Sequence, residues 1–400
     1  MRAECVDSFG NTFCSWADYV PDARRTVTPT NQAPRSGSYN GRDSFGLWWS
    51  MASNGPQPFA RDLRPVPTRV VAEIGREQVA DLRFTRARIA PTVRVERVCD
   101  GGLVATLFLP GRDRPAPGVM VLGGSEGGIS SAEETAALLA SRGFAALAVA
   151  YFGVRSLPSV LAEVPLEYFE HALRWLSRRP ELDGHGVGII GSSRGGELAL
   201  ILASSARPVR AVIGLAASGI VWPGYTPGAV SPRAAWTRNG AGLPFAIPQP
   251  RPSTSADAAL ALRSWFARPL RHEALVAHAE IPVERGHAAV MLISGRDDRM
   301  WPASQLADRT MRRLSARAST RTSRHVHIAF ARAGHRVGHP PGLPEPPTSF
   351  VTKDGLNLAL GGSREGNARS AQRAWPRIIR FFSEHLNVPP RRVASWRTRP

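Results

Sequence analysis

The sequence predicts an α/β protein: a doubly wound, mostly parallel sheet preceded by a small all-β module. Three observations carry that expectation. Continuous apolar runs such as Gly118–Leu122 and Phe144–Phe152 suit parallel strands covered on both faces. Helical patterns alternate with these runs from there on, as in a parallel sheet with crossover helices. Before residue 110 the strand-like runs instead alternate apolar with charged residues, the mark of a half-solvated antiparallel sheet.

Residues 1–92 form the expected β module. Thr26–Gly41 is polar and turn-rich, then "TRVVAEI", a turn at Gly75 and "QVADLRF" read as strands, with no helical pattern before residue 130. "VRVERV" and "LVATLFL" continue the strand pattern into a second unit, 93–388. There "GVMVL" leads to a helix over Ala132–Ser141, stopped by Gly143. After the strand in Phe144–Phe152, Leu166, Phe169, Leu173 and Leu176 mark one face of a helix over Pro165–Arg178. A short strand, Gly186–Ile190, precedes a nearly all-apolar helix, Gly195–Ser204, and the strand "VRAVIGLAA". Residues 222–280 break the rhythm with prolines, glycines and a short helix near Asp257–Phe266, an insertion expected to form a lid or pocket wall. "AAVMLISG", a helix over Ala303–Arg317, "HVHIAFA" and a final helix from Arg364 to Leu386, interrupted at Pro376, complete the unit. Residues 389–400 read as a basic disordered tail.

The net charge of +19, from 51 Lys+Arg against 32 Asp+Glu, is almost entirely arginine; Lys353 is the single lysine. Such a balance suits nucleic acid, an anionic membrane or a phosphate-bearing coenzyme. The arginines are scattered, and no helix-turn-helix, zinc-finger or RNA-binding signature accompanies them, so nucleic acid is not the expected partner. Cys5, Cys14 and Cys99 make neither a disulfide framework nor a C-x-x-C pattern. The N-terminal stretch lacks a signal peptide's apolar core, and no apolar run reaches membrane-spanning length. The final "RTRP" is not a peroxisomal address. The expectation is a cytoplasmic protein without metal or redox cofactor.

The chemistry is concentrated in "GIIGSSRGG". A strand entering a helix through Gly191-Ser192-Ser193-Arg194-Gly195 turns so sharply that larger neighbours would clash, which is the steric logic of the nucleophile elbow G-x-S-x-G. A serine nucleophile needs a base and an acid that orients the base. In α/β-hydrolases they follow in the order Ser, Asp or Glu, His, at the ends of successive strands. "VMLISG" ends in "GRDDRMWP", offering Asp297 and Asp298, of which Asp298 has the better spacing from the glycine and the proline. "HVHIAFARAGH" ends in His335, the candidate base; His339 is the local competitor, and His325 and His327 read as packing or surface residues. An oxyanion hole needs two backbone N–H groups. The amide of Arg194 follows the nucleophile, and "VLGGSEGG" is the loop for the second donor, for which Ser125 is the candidate. A phosphate-loop reading of that segment lacks the Gly-Lys-Ser/Thr and G-x-G-x-x-G orders.

From Gly37 to Leu386 the sequence resembles the family of acyl-CoA thioesterases and bile acid-CoA:amino acid N-acyltransferases. The shared features are "SGSYNGRDSFGLWWSM", "PGVMVLGGSEGG", "GIIGSSRGGELAL", "AEIPVER", "LISGRDDRMWP", "AGH" and "LGGSREGNARSAQRAW". The resemblance implies an N-terminal immunoglobulin-like β-sandwich, a C-terminal α/β-hydrolase domain and fatty acyl-CoA as substrate. It also implies Ser193 as nucleophile, Asp298 as acid and His335 as base. Two departures stand out. The family has more strands before "DSFGNTFCSWADY" than this sequence supplies, so an incomplete sandwich is expected, with Trp48 and Trp49 exposed. The N-acylating branch uses cysteine at the elbow where this chain has Ser193, which favours hydrolysis. The expected function is therefore a serine acyl-CoA thioesterase. An N-acyltransferase, a general carboxylesterase of dienelactone-hydrolase type and a degenerate acyl-binding domain are its rivals.

Overall fold

A computed structural model describes residues 1–53, 59–112, 114–226, 229–248, 259–316, 324–352 and 355–386. The N-terminal domain is β-rich. Its strands form a five-stranded antiparallel sheet in the order Ser36–Gly37, Thr12–Asp18, Arg2–Val6, Val66–Ile74 and Glu77–Arg86. The period-two pattern sends Ala3, Cys5, Phe13 and Ala17 to one face. There they pack with Tyr39, Leu47, Trp49 and Met51 and with Leu343 and Ala368 from the C-terminal unit. Among the described residues the layer facing this sheet is thus helix and loop. Trp49, expected to be exposed, is only 6% exposed, and its indole N–H donates to Asp43 Oδ2 at 2.9 Å. A short helix, Gly46–Trp49, carries it inward, so the absence of helix before residue 130 does not hold.

An eight-stranded sheet organises the remainder. From edge to edge it runs Arg94–Asp100, Leu103–Leu109, Ala145–Val149, Ala116–Leu122, Leu182–Ser192, Val209–Leu215, Ala289–Gly295 and His325–Phe330. The strands from Ala145–Val149 onward are mutually parallel; the two at the Arg94 edge are antiparallel. Alternate residues of each central strand serve opposite layers. Met120 and Leu122 pack towards the helices Leu166–Ser177 and Arg194–Ser205. Val119 and Val121 pack towards Ser130–Ala140 and Arg364–His385. Burial on both faces is why these strands read as continuous apolar runs.

Two expectations are corrected. Pro376 lies inside an unbroken 22-residue helix, whose buried Trp375, Ile378, Phe381 and Phe382 hold it against the sheet across the missing amide bond. The helix expected near Asp257–Phe266 is the shorter Arg263–Ala267; residues 257 and 258 lie outside the described residues, as does the tail 389–400. In the insertion that follows the strand Val209–Leu215, Trp222 and Trp236 are fully buried in the two core layers, Trp236 in the layer that includes the elbow helix.

Candidate active site

The strand Leu182–Ser192 passes into the helix Arg194–Ser205 in a single residue, Ser193, at φ 53°. A non-glycine residue in the left-handed region carries strain that its surroundings must impose. Here the Ser193 N–H donates to Leu215 O at 2.8 Å, anchoring the turn to the next strand. The flanking glycines are steric requirements. A Cβ on Gly191 would lie 2.1 Å from Gly195 O, and one on Gly195 would lie 2.1 Å from Gly123 O.

His335 bridges Ser193 and Asp298. Its Nε2 is 2.9 Å from Ser193 Oγ and its Nδ1 is 2.8 Å from Asp298 Oδ2. Asp298 is fully buried, and its other oxygen accepts the backbone N–H groups of Met300 at 2.8 Å and Trp301 at 3.2 Å. The Trp301 ring stands edge-on to His335 with centroids 5.6 Å apart, and its indole N–H donates to Ala216 O. Asp297 turns away: Oδ2 accepts the Gly362 N–H at 3.0 Å, and Oδ1 is 3.5 Å from Arg299 Nε. The segment "LGGSREGN" thus braces the acid and base loops together. Gly334 N–H, just before His335, donates to Asn367 Oδ1 at 2.8 Å, and His335 N–H donates to Leu360 O at 2.8 Å.

His339 is not brought to Ser193. It lines a small cavity behind the elbow with Ser131 and Thr135, and burial together with Arg336 and Arg61 holds its pKa well below the usual imidazole range. His325 accepts from the Val290 N–H at 3.2 Å. His327 lies between Ser294 Oγ at 2.7 Å and Asp308 Oδ1 at 2.8 Å.

The Arg194 amide opens the elbow helix, where the first N–H groups have no intrahelical acceptor and the dipole favours negative charge. Its guanidinium is buried, donating to Trp222 O at 2.9 Å and lying 3.3 Å from Glu197. Glu197 is fully buried, accepts from the Trp236 indole at 2.7 Å, and has its pKa pushed up to about 7 by burial, against the pull of Arg194. Ser125 is half-buried in the facing loop, at whose start Tyr151 Oη donates to Gly123 O at 2.7 Å. Glu126, which sequence reasoning misses, also holds this loop. Its carboxylate accepts the Gly124 N–H at 3.0 Å and the Ser131 hydroxyl, and a Cβ at Gly124 would stand 2.6 Å from Glu126 Oε2 and 3.2 Å from Ser193 Cβ. Its charge amid glycines was the available signal.

Numbered along the chain, the large sheet runs 1-2-4-3-5-6-7-8, and with the elbow after its fifth strand this defines an α/β-hydrolase fold. The family described as "BAAT / Acyl-CoA thioester hydrolase C terminal" matches residues 164–388, and "Acyl-CoA thioester hydrolase/BAAT N-terminal region" matches residues 1–100. Mouse acyl-coenzyme A thioesterase 1 is 30% identical over 406 residues, 98% of this chain and 92% of its own. Mouse acyl-coenzyme A thioesterase 5 is 31% identical over 400 residues, 97% of this chain and 90% of its own. A puromycin-hydrolysing peptidase from Mycobacterium tuberculosis, 14% identical, aligns with 98% of this chain and 54% of its own at a TM-score of 0.50, a likeness of fold alone. The chain belongs to the acyl-CoA thioester hydrolase/BAAT family and is a hydrolase. No helix among the described residues is long and apolar enough to cross a membrane.

Proposed function

We propose that the protein is a serine acyl-CoA thioesterase. The observation that carries this reading is the chain of hydrogen bonds from buried Asp298 through His335 to Ser193 at the elbow, in a family whose relatives are named acyl-CoA thioesterases. His335 Nε2 takes the Ser193 proton as Oγ attacks the thioester carbonyl. The C–S bond then breaks, His335 returns the proton to the departing thiolate, and an acyl-serine remains. Water, deprotonated by His335, attacks this ester; the fatty acid leaves as Oγ recovers the proton. Asp298 holds the imidazole orientation and balances the imidazolium charge. The Arg194 and Ser125 amides are the proposed donors to the oxyanion. The arginine excess suits the phosphates of coenzyme A. The free Cys5, Cys14 and Cys99 suit a reducing compartment, in keeping with a cytoplasmic enzyme.

The family name also includes an amino-acid N-acyltransferase branch, and the serine nucleophile argues against that chemistry. An acyl-serine is an oxygen ester, less readily attacked by amines than a thioester on cysteine. The test follows thiol release from acyl-CoA of graded chain length, with an acyl-p-nitrophenyl ester alongside, and identifies products by mass spectrometry with and without excess glycine. Free fatty acid and coenzyme A are expected throughout. Dominant N-acylglycine, or turnover of the simple ester alone, overturns the thioesterase reading.

A further inference from the structure

The loop that follows His335 has almost no regular structure of its own; Trp375 Nε1 donates to His339 O at 3.1 Å and Arg364 Nε to Glu345 O at 2.9 Å from the last helix, and its other fixed points come from the N-terminal domain. Arg86 Nη1 donates to Gly342 O at 2.7 Å, Glu345 N–H donates to Trp49 O at 3.0 Å, and Leu343 sits in the N-terminal apolar cluster. One side chain goes further. Arg61 donates from Nε and Nη2 to both oxygens of Glu134, at 3.0 and 2.8 Å, and from Nη2 to Pro340 O at 3.2 Å. Glu134 belongs to the helix Ser130–Ala140, which begins where the "VLGGSEGG" loop ends. Pro340 lies in the His335 loop. A single guanidinium therefore ties the wall facing the nucleophile to the loop carrying the candidate base.

We infer that Arg61 is a positioning residue for the Ser193–His335 pair, so that the N-terminal domain sets the geometry of a site to which it contributes no reacting atom. The inference rests on the triad reading above. The tie is stiff. The Arg61 and Glu134 side chains are 16% and 4% exposed, and a planar fork meeting a carboxylate on two bonds while a third reaches a carbonyl leaves little freedom. Burial works against the Arg61 charge, but Glu134 outweighs it and holds the pKa above the ordinary guanidinium value. A lysine ammonium in the place of Nη2 can still meet Glu134 and Pro340 O, but it lacks the second bond of the planar fork, so the tie is kept and loosened. Arg88 provides an internal comparison. It donates to the same Glu134 at 2.7 Å with no contact to the His335 loop among its described hydrogen bonds.

The test measures phosphonylation of the elbow serine by a fluorophosphonate, well below the melting temperature, in the full-length protein. This rate reports how well the base activates the serine, without reference to acyl-CoA. Arg61→Ala should slow labelling and kcat together by about 100-fold, the scale expected of a roughly 1 Å misplacement, with KM changed little. Arg61→Lys should recover only part of the rate. Arg88→Ala should lower the melting temperature and leave labelling at the wild-type rate. A folded Arg61→Ala that labels at the wild-type rate overturns the inference, as does equal slowing by the Arg61 and Arg88 variants, which would mark a general staple between domains. Should Arg61→Ala fail to fold, wild-type labelling by Arg61→Met, which keeps the stem and removes every donor, overturns it in the same way. A wild-type protein that labels at Ser193 yet leaves acyl-CoA intact refutes the thioesterase reading and leaves this comparison fully readable.

Discussion

Among the described residues there are two hydrogen-bonded Asp-His-Ser chains, and only one is proposed to be catalytic. In the first, Asp298, His335 and Ser193 are joined at 2.8 and 2.9 Å; in the second, Asp308, His327 and Ser294 are joined at 2.8 and 2.7 Å. The distances do not separate them; the surroundings do. Asp298 is fully buried, whereas the Asp308 side chain is 57% exposed. Ser193 occupies a strained turn at a strand end, with a helix N-terminus behind it. Ser294 lies inside the strand Ala289–Gly295, 1% exposed, with its hydroxyl also 2.8 Å from Ser304 Oγ. Its hydroxyl, held between His327 and Ser304 inside the strand, is closed to a substrate carbonyl. The second chain is a brace between a strand, its neighbour and the helix Ala303–Ala316. Backbone geometry and access, rather than the three residue types, distinguish a nucleophile from a tie.

The sharpest way to break the comparison is at the serines. Ser193→Ala should reduce turnover by about 10⁶-fold, as removal of such a nucleophile does elsewhere, with the fold retained. Ser294→Ala should leave kcat for acyl-CoA unchanged; a matching loss would make the second chain functional. At the acids, Asp298→Asn should cost about 10⁴-fold in turnover. Asp308→Asn should cost nothing measurable, and Asp297→Asn far less than Asp298→Asn, since Asp297 braces Gly362 instead of His335. An Asp297 effect exceeding that of Asp298 would show that the acid is wrongly assigned.

The surroundings of Ser193 also predict a pH signature. Burial raises the Glu197 pKa from 4.5 to about 7. The folded state therefore keeps a proton that the unfolded state releases, so Glu197 lowers stability progressively as pH rises from about 4.5 to 7, and no further above that. Glu197→Gln should remove this portion of the slope in chemical unfolding followed from pH 4.5 to 8. An unchanged slope would place the responsible group elsewhere. The smallest expected effect belongs to His327→Gln, which should cost about 1 kcal/mol of stability through weakened hydrogen bonds and nothing in kcat.

Much of the site was legible because its constraints are local. The elbow glycines answer to atoms within the same turn or the adjacent loop, and Asp298 and His335 each follow a strand whose apolar run marks its end. Spacing also separated Asp298 from Asp297 as the partner of His335. The residues that escaped notice act across distance. Arg61 meets Glu134 across 73 positions and Pro340 across 279, and no periodicity relates charges so far apart. His327 reads as a packing or surface residue in the sequence, since its partners, 19 and 33 positions away, come from a helix and a neighbouring strand. Pro376 misled because its local rule is real, yet tertiary burial of the residues around it outweighed one missing amide bond.

The alternation of strands and helices, the sharp turn at Ser193 and the strand ends that carry Asp298 and His335 are therefore legible in the chain alone. Apolar periodicity and glycine sterics act over a few residues and survive in one dimension. Which of two similar Asp-His-Ser chains stands at a strained turn is settled by the fold. It alone also joined Arg61 of the β-rich domain to the loop of His335. Those outcomes depend on which surfaces the folded sheet buries and which distant charges it brings within hydrogen-bond reach.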